Sequence, residues 1–277
     1  MLTKDWLDQA VSKHRPVYHL DKIGVFVTRI LAVFNQAGGV AKTTLTQNLG
    51  YQLARRQHHV LLVDMDPQAS LTTFMGLVPE ELRETVYEAV VEEDPLVIHK
   101  DIHQLDLVPT NTDLSVAEMQ LVSADLREMR LKSALEAIES DYDFILIDCP
   151  PSLGLLSYIS LVAATHVLVP VQTQFKAFEG TDNLLNTVAR VKTKINRKLA
   201  IAGFVPTIYD SRNAQDTRTL GAIQEQLSAI GPIFPPVPRS TAFPDAAEQR
   251  LPLLLHSPKH PAVIVLDQIA EAMEGLK

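Results

Sequence analysis

An α/β fold, with a mostly parallel, twisted sheet covered by helices on both faces, is what this sequence predicts, and three observations predict it. Apolar runs of strand length recur along the chain, amphipathic segments of helical spacing separate most of them, and acidic or glycine-rich clusters stand where several of the runs end. In a sheet of this kind ligands sit beyond the carboxyl ends of the strands, so the placement of those clusters is itself a functional signal.

The elements follow in order. Residues 1–28 read as an N-terminal arm or helix: Leu2, Trp6, Leu7 and Val11 line one helix face, and Pro16 stops it. A single domain over 29–277 comes next, with strands predicted at Ile30–Phe34, His59–Val63, Leu105–Val108, Phe144–Ile147, His166–Val171 and Ala200–Pro206. Helical spacing marks Thr43–Arg56, Leu114–Ile138 (as two helices), Leu153–Ala163, Gly180–Lys194 and a last helix from Ala262 to Lys277. The proline-rich Gly231–Pro238 reads as a loop within the domain, since no repeat, low-complexity tract or linker divides the chain.

Composition narrows the function. Of 277 residues, 46% are hydrophobic, enough for a substantial core, and no run approaches the roughly 20 apolar residues of a membrane span. The N-terminus has no apolar export segment, so a cytoplasmic location is expected. One cysteine, Cys149, excludes an internal disulfide or a four-cysteine metal site, and reads as a small core residue. A net charge of −8 argues against a wholly electrostatic nucleic-acid binder while leaving room for a local basic face.

The chemistry begins at Asn35-Gln36-Ala37-Gly38-Gly39-Val40-Ala41-Lys42-Thr43-Thr44, a glycine turn between a predicted strand and a predicted helix. Backbone N–H groups in such a turn, with the helix N-terminus, make an anion site. Lys42 is placed to reach the β- and γ-phosphates of a nucleotide and Thr43 to hold Mg²⁺. The literal phosphate-loop pattern G-x-x-x-x-G-K-[ST] is not met, because Gln36 and Ala41 occupy its glycine positions.

Apart from one residue, the stretch meets the deviant Walker A form K-G-G-x-x-K-[ST] of the P-loop NTPase fold, and it resembles the ParA/MinD ATPases that position plasmids, chromosomes and other cargo. The exception is Ala37, where that family carries a lysine that crosses the dimer to the partner's nucleotide. Further segments carry the resemblance: Asp64-Met65-Asp66-Pro67-Gln68, Thr85-Val86-Tyr87-Glu88, Leu114-Ser115-Val116-Ala117-Glu118 and Ile145-Leu146-Ile147-Asp148-Cys149-Pro150-Pro151. It runs from about Arg29 to the C-terminus.

The resemblance implies a set of roles. Backbone and side chains of Gly38, Gly39, Val40, Ala41, Lys42, Thr43 and Thr44 bind the phosphates of ATP, and Thr207, Pro238 and Arg239 fall in segments that flank the adenine and ribose. Asp66 positions or activates the attacking water, so Lys42 and Asp66 are the catalytic pair; Thr43 and Asp148 hold Mg²⁺, and Asp64 supports the metal shell and its loop. Turnover is expected to be slow, as a timer of dimer lifetime. The implied partners are a second copy of the chain when ATP is bound, nonspecific double-stranded DNA, and an adaptor of ParB or McdB type, with the protein cytoplasmic and nucleoid-associated.

Two departures from the family pattern carry a sharper expectation. Gln174 stands where the family has Glu, and Lys176 is an added lysine, so Lys176 is the candidate to replace the trans-phosphate lysine missing at Ala37, as in the carboxysome-positioning McdA branch; its plain alternative is a solvated surface lysine. For DNA the candidates are Arg190 and Lys194, four apart on one predicted helix face, then Arg197, Lys198, Arg218 and Lys259.

Competing readings remain. A MinD-like membrane ATPase needs a basic amphipathic tail, whereas the last helix carries Asp267, Glu271 and Glu274. A nitrogenase-reductase-like electron carrier needs two cluster cysteines. A nucleotide-dependent scaffold that hardly hydrolyses is the alternative from another class, and the presence of Asp66 speaks against it.

Overall fold

In the computed structural model, residues 28–174 and 180–276 are described. The expected arm over 1–28, apart from Thr28, and the candidate Lys176 lie outside them.

A seven-stranded sheet forms the centre, in the order β3-β4-β2-β5-β1-β6-β7. Its strands are β1 (Arg29–Val33), β2 (Val60–Asp64), β3 (His99–Ile102), β4 (Leu105–Val108), β5 (Phe144–Asp148), β6 (His166–Gln172) and β7 (Ala200–Thr207). All pairings are parallel except that of β3 with β4. The six strands expected from the sequence are present to within about a residue at their ends. β3 was not among them, because its sequence His99-Lys100-Asp101-Ile102 has one apolar residue and it pairs at an edge.

Alternation along each strand builds two cores. On one face Ile30, Ala32, Leu61, Val63, Ile145 and Ile147 pack under α3 (Leu114–Gln120), α4 (Arg130–Glu136), α5 (Leu155–Ala163), α6 (Thr181–Lys194) and α7 (Ala214–Leu227). On the other, Leu31, Val33, Leu62, Phe144 and Leu146 meet α1 (Lys42–Arg55), α8 (Ala242–Glu248), α9 (Leu253–His256) and α10 (Pro261–Glu274). Burial on both faces explains why β1, β2 and β5 read as unbroken apolar runs ending in carboxylates or loops. A short α2 (Ser70–Phe74) follows β2.

The expected pair of helices over Leu114–Ile138 is α3 and α4, joined by tight turns at Leu121–Ser123 and Arg127–Met129. Helix α5 starts at Leu155, two residues later than its apolar pattern suggested. Its first turn is capped from another element: Glu118 Oε1 accepts from the Leu156 amide at 3.3 Å. Two prolines sit inside strands without loss. Pro206 lies on edge strand β7, and Pro170 lies in β6 beyond the last residue that pairs with β1, where no ladder donor is needed. Gly203 (φ +152) lets the loop before α8 close onto β7, since an added Cβ would meet the Pro232 carbonyl at 2.8 Å.

An ionic cluster ties α10 to the other end of the sheet. Arg29 donates to the carbonyls of Leu276 and Glu274, at 2.9 and 3.1 Å, near the end of α10. His58 lies 2.9 Å from Glu274 and 3.8 Å from Asp143, and Arg56 donates to the same Glu274. Burial opposes charge on His58, but the bonds to Asp143 and Glu274 outweigh it and raise its pKa above the ordinary 6.5. The two acids are lowered in return, despite their own burial. A raised histidine contributes stability that is complete below pH 6.5 and is lost as pH rises through the higher folded value. Urea unfolding is therefore expected to give lower stability at pH 8 than at pH 6, and His58→Gln to shrink that difference; an unchanged difference would remove His58 from the account.

Candidate functional site

Beyond the carboxyl ends of β1, β2, β5 and β7 lies a cleft of about 420 Å³. Its floor is the turn from Gly38 to Thr44; Asp66, Ser70 and Phe74 stand on one side, and Ile208, Val237–Ser240, Phe243 and Pro244 on the other.

The turn is built by local bonds. Asn35 donates through Nδ2 to the Pro170 carbonyl at 2.7 Å and accepts the Ala37 amide at 2.9 Å, pinning the start of the loop to β6. Gly39 (φ +72) and Ala41 (φ 70) adopt left-handed backbone, which reverses the chain so that α1 begins at Lys42. A Cβ on Gly38 or Gly39 would meet nothing within 4 Å, so open space stands over the turn. Val40 is the exception in this stretch: its side chain is buried in the core and its carbonyl accepts from the Thr207 hydroxyl at 3.1 Å. Thr207, expected beside the nucleoside, lines the cleft, and its buried hydroxyl braces the loop. Pro238 and Arg239 line the cleft, positioned by the Arg239 amide donating to the Tyr209 carbonyl at 2.8 Å.

Lys42 is 7% exposed and curls over the turn, its Nζ donating to the Ala37 carbonyl at 2.8 Å. At position 37 it is thus the backbone that takes part. Burial lowers the Lys42 pKa, and Asp148, Cys149 and Asp66 oppose the shift.

Three carboxylates converge here with different commitments. Asp64 is fully buried, and both oxygens are engaged: Oδ2 accepts from the Thr72 amide and hydroxyl, each at 2.8 Å, and Oδ1 from the Asp66 amide at 3.1 Å. These three bonds tie it to the loop after β2. Asp66 spends Oδ1 on the Gln68 amide at 3.0 Å and lines the cleft. Burial raises its pKa, against the Gln68 amide and Lys42. Asp148, also fully buried, has Oδ1 3.5 Å from the Thr46 hydroxyl, while Oδ2 has no hydrogen-bond partner. Burial and the nearby Asp64 push its pKa well up, and the neighbouring Thr43 hydroxyl and Lys42 oppose this. Asp148 does not cap α5, which begins seven residues later with Gly154 at its cap. Burial also pushes the Cys149 thiol up, consistent with an inert core position.

A buried carboxylate oxygen without a partner, beside a threonine and a lysine under an open amide-lined turn, fits a hydrated Mg²⁺ with a nucleotide phosphate. Among the described residues no group of three or more His, Cys, Asp and Glu forms an all-protein metal cage. Sequence reasoning missed Ser70, Phe74, Ser240, Phe243 and Pro244, all from loops or short helices with no pattern of their own. Ile208 (φ 55) holds a β-branched residue in left-handed backbone at the cleft wall.

The DNA candidates are all exposed. Arg190, Lys194, Arg197, Lys198, Arg218 and Lys259 form no ion pair among the described residues. Helices α6 and α7 carry or adjoin the first five and lie on one face of the sheet, whereas Lys259 precedes α10 in the opposite layer. The structure thus separates Lys259 from the group.

A strand, an amide-lined turn and a helix that opens on a buried lysine define an α/β P-loop nucleotide-binding protein. Residues 28–201 match a family model described as an AAA domain. The sporulation initiation inhibitor protein Soj of Bacillus subtilis is 38% identical over 235 residues, spanning 83% of this chain and 92% of Soj. The chromosome partitioning protein ParA of Myxococcus xanthus is 42% identical over 189 residues, 67% of each chain. Among solved structures, cobyrinic acid a,c-diamide synthase of Mycobacterium smegmatis with bound ATP analog and magnesium superposes with a TM-score of 0.80 at 35% identity, over 90% of this chain and 95% of that one. Cyanothece apo McdA, at 24% identity, shares the fold with a TM-score of 0.81 over 89% of this chain and 100% of that one. The chain belongs to the ParA/MinD superfamily of partition ATPases. No described helix is long and apolar enough to cross a membrane.

Proposed function

We propose that this protein hydrolyses ATP with Mg²⁺, pairs with a second copy while ATP is bound, binds DNA without sequence preference in that state, and is released when a cargo adaptor stimulates hydrolysis. The observation that carries the reading is the buried Asp148 close to Thr43 and Lys42, with its Oδ2 unpartnered. Magnesium bound with the nucleotide would supply charge neutralisation and fix the phosphate geometry. Lys42 adds a cation from a site with little competing water, amides from Gly38 to Thr43 bind phosphate oxygens, and Asp66 accepts a hydrogen bond from the attacking water and orients it. Asp64 keeps Asp66 in place through the Asp66 amide.

The cation that crosses the dimer in the family is missing at Ala37, and Lys176 is proposed to replace it. Cargo is a plasmid, a chromosome or a carboxysome; the identity to chromosome partitioning proteins favours DNA cargo, and the likeness to McdA, confined to fold, adds nothing to the choice. A membrane-bound variant of the cycle is disfavoured by the acids of α10, Asp267, Glu271 and Glu274.

Calorimetry and gel filtration test the cycle. Mg-ATP is expected to bind, to double the apparent mass, and to bring on salt-dependent association with random-sequence duplex DNA. Replacing Arg190 or Lys194 by Ala should weaken DNA binding equally across sequences and lower the salt slope by about one each. No uptake of Mg-ATP by folded protein removes the proposal.

A further inference from the structure

Ser240 is in the cleft wall between Arg239 and Phe243, opposite the loop that bears Asp66. A hydroxyl has one proton to donate and two lone pairs to accept with, and here both acceptor positions are filled. The Ala242 amide donates to Ser240 Oγ at 3.1 Å. His260 Nε2 lies 2.9 Å from the same oxygen. The direction of that second bond is fixed by the other side of the ring. His260 caps α10, and its Nδ1 accepts the Ala262 amide at 3.2 Å, so Nδ1 carries no proton and the neutral ring bears its proton on Nε2. His260 therefore donates to Ser240. Phe243, edge-on to the imidazole at 6.3 Å between centroids, fixes the ring from the cleft side.

What remains to Ser240 is its own proton, which no described residue accepts. The wall around it is mostly apolar, with Ile208, Val237, Phe243 and Pro244, and lies across from the charged end of the cleft. Such a wall suits a base or sugar rather than a phosphate.

We propose that Ser240 donates a hydrogen bond to the nucleoside part of the bound nucleotide, with His260 as the positioning residue that turns the hydroxyl proton into the cleft. The inference rests on the nucleotide reading of the cleft given above. It also links nucleoside binding to the first turn of α10, because the ring that orients Ser240 caps that helix.

Calorimetry with Mg-ATP and with Mg-tripolyphosphate, which lacks the nucleoside, tests it. Ser240→Ala is expected to weaken ATP about tenfold while leaving tripolyphosphate unchanged, and Ser240→Thr, which keeps the hydroxyl, to stay within about twofold of the unaltered protein. His260→Ala should weaken ATP in the same selective way, by a smaller factor. Ser240→Ala binding ATP as tightly as the parent, or losing ATP and tripolyphosphate in equal measure, overturns the assignment. Should the parent bind tripolyphosphate but not ATP, the proposal fails while the phosphate site stands; should it bind neither, the nucleotide reading itself fails.

Discussion

Lys42→Ala is expected to leave a folded protein that binds Mg-ATP about 100-fold more weakly or worse and has no measurable ATP turnover. The size of the effect follows from where the charge is held. Lys42 is nearly buried, its ammonium spans the turn to the Ala37 carbonyl at 2.8 Å, and open space for an anion lies over the same turn. A cation there faces little screening by water, so its attraction to a phosphate is much larger than that of a surface lysine. The same ammonium offsets the carboxylates of Asp148 and Asp66, so its loss also leaves an incoming anion facing uncompensated negative charge. Lys42→Met separates charge from packing, since it keeps an apolar stem of similar length. Both variants should lose ATP alike in calorimetry and phosphate-release assays, with circular dichroism checking the fold; a Met variant that binds normally would show that the charge is not what holds the nucleotide.

Much of the frame behind this expectation was legible in the sequence, and the reason is burial. Strands β1, β2 and β5 are covered on both faces, so they read as apolar runs, and each delivers its polar residues at one end. Asp66 and Asp148 stand just past such runs, which places them at the carboxyl edge of the sheet, whereas Lys42 was placed by the glycine turn and its likeness to a phosphate loop. Strand β3 lacked the signal, since an edge strand with Lys100 and Asp101 exposed has no apolar pattern to read.

Other parts of the site were illegible because they depend on contacts between residues far apart in the chain. Thr207 lines the cleft, but that its hydroxyl is spent on the Val40 carbonyl, a bond across 167 positions, has no local signal. Strand alternation puts residues two apart, such as Asp64 and Asp66, on the same side, and only the bonds from Thr72 and the Asp66 amide show how differently the two are committed. Glu118 caps α5 from 38 positions away, and Ser240 meets His260 across 20. The nucleoside wall comes from loops after β7, where turn residues give no period and the backbone of Ile208 is strained into place.

Asp66→Asn is expected to separate binding from hydrolysis: Mg-ATP uptake within about threefold of the parent, and ATP turnover lower by about 100-fold or more. The substitution is chosen for what it preserves. Asp66 Oδ1 accepts the Gln68 amide at 3.0 Å, a turn that an asparagine carbonyl maintains, so the loop after β2 and its anchor at Asp64 stay intact. What changes is the second oxygen, which faces the cleft without a hydrogen bond to any described residue and becomes an amide that donates instead of accepting. If that oxygen orients the attacking water, the water loses its acceptor while the phosphate grip of Lys42 and the turn is untouched. The proposed cycle then stalls with ATP bound, so gel filtration should show the paired state persisting long after the parent has returned to single copies, and DNA association persisting with it. Turnover at the parental rate would take Asp66 out of the chemistry. Loss of ATP binding in step with turnover would instead make it a residue that shapes the cleft, and the water would need another carboxylate, for which Asp148, buried beside Thr43, is the only neighbour of the described three with an unoccupied oxygen.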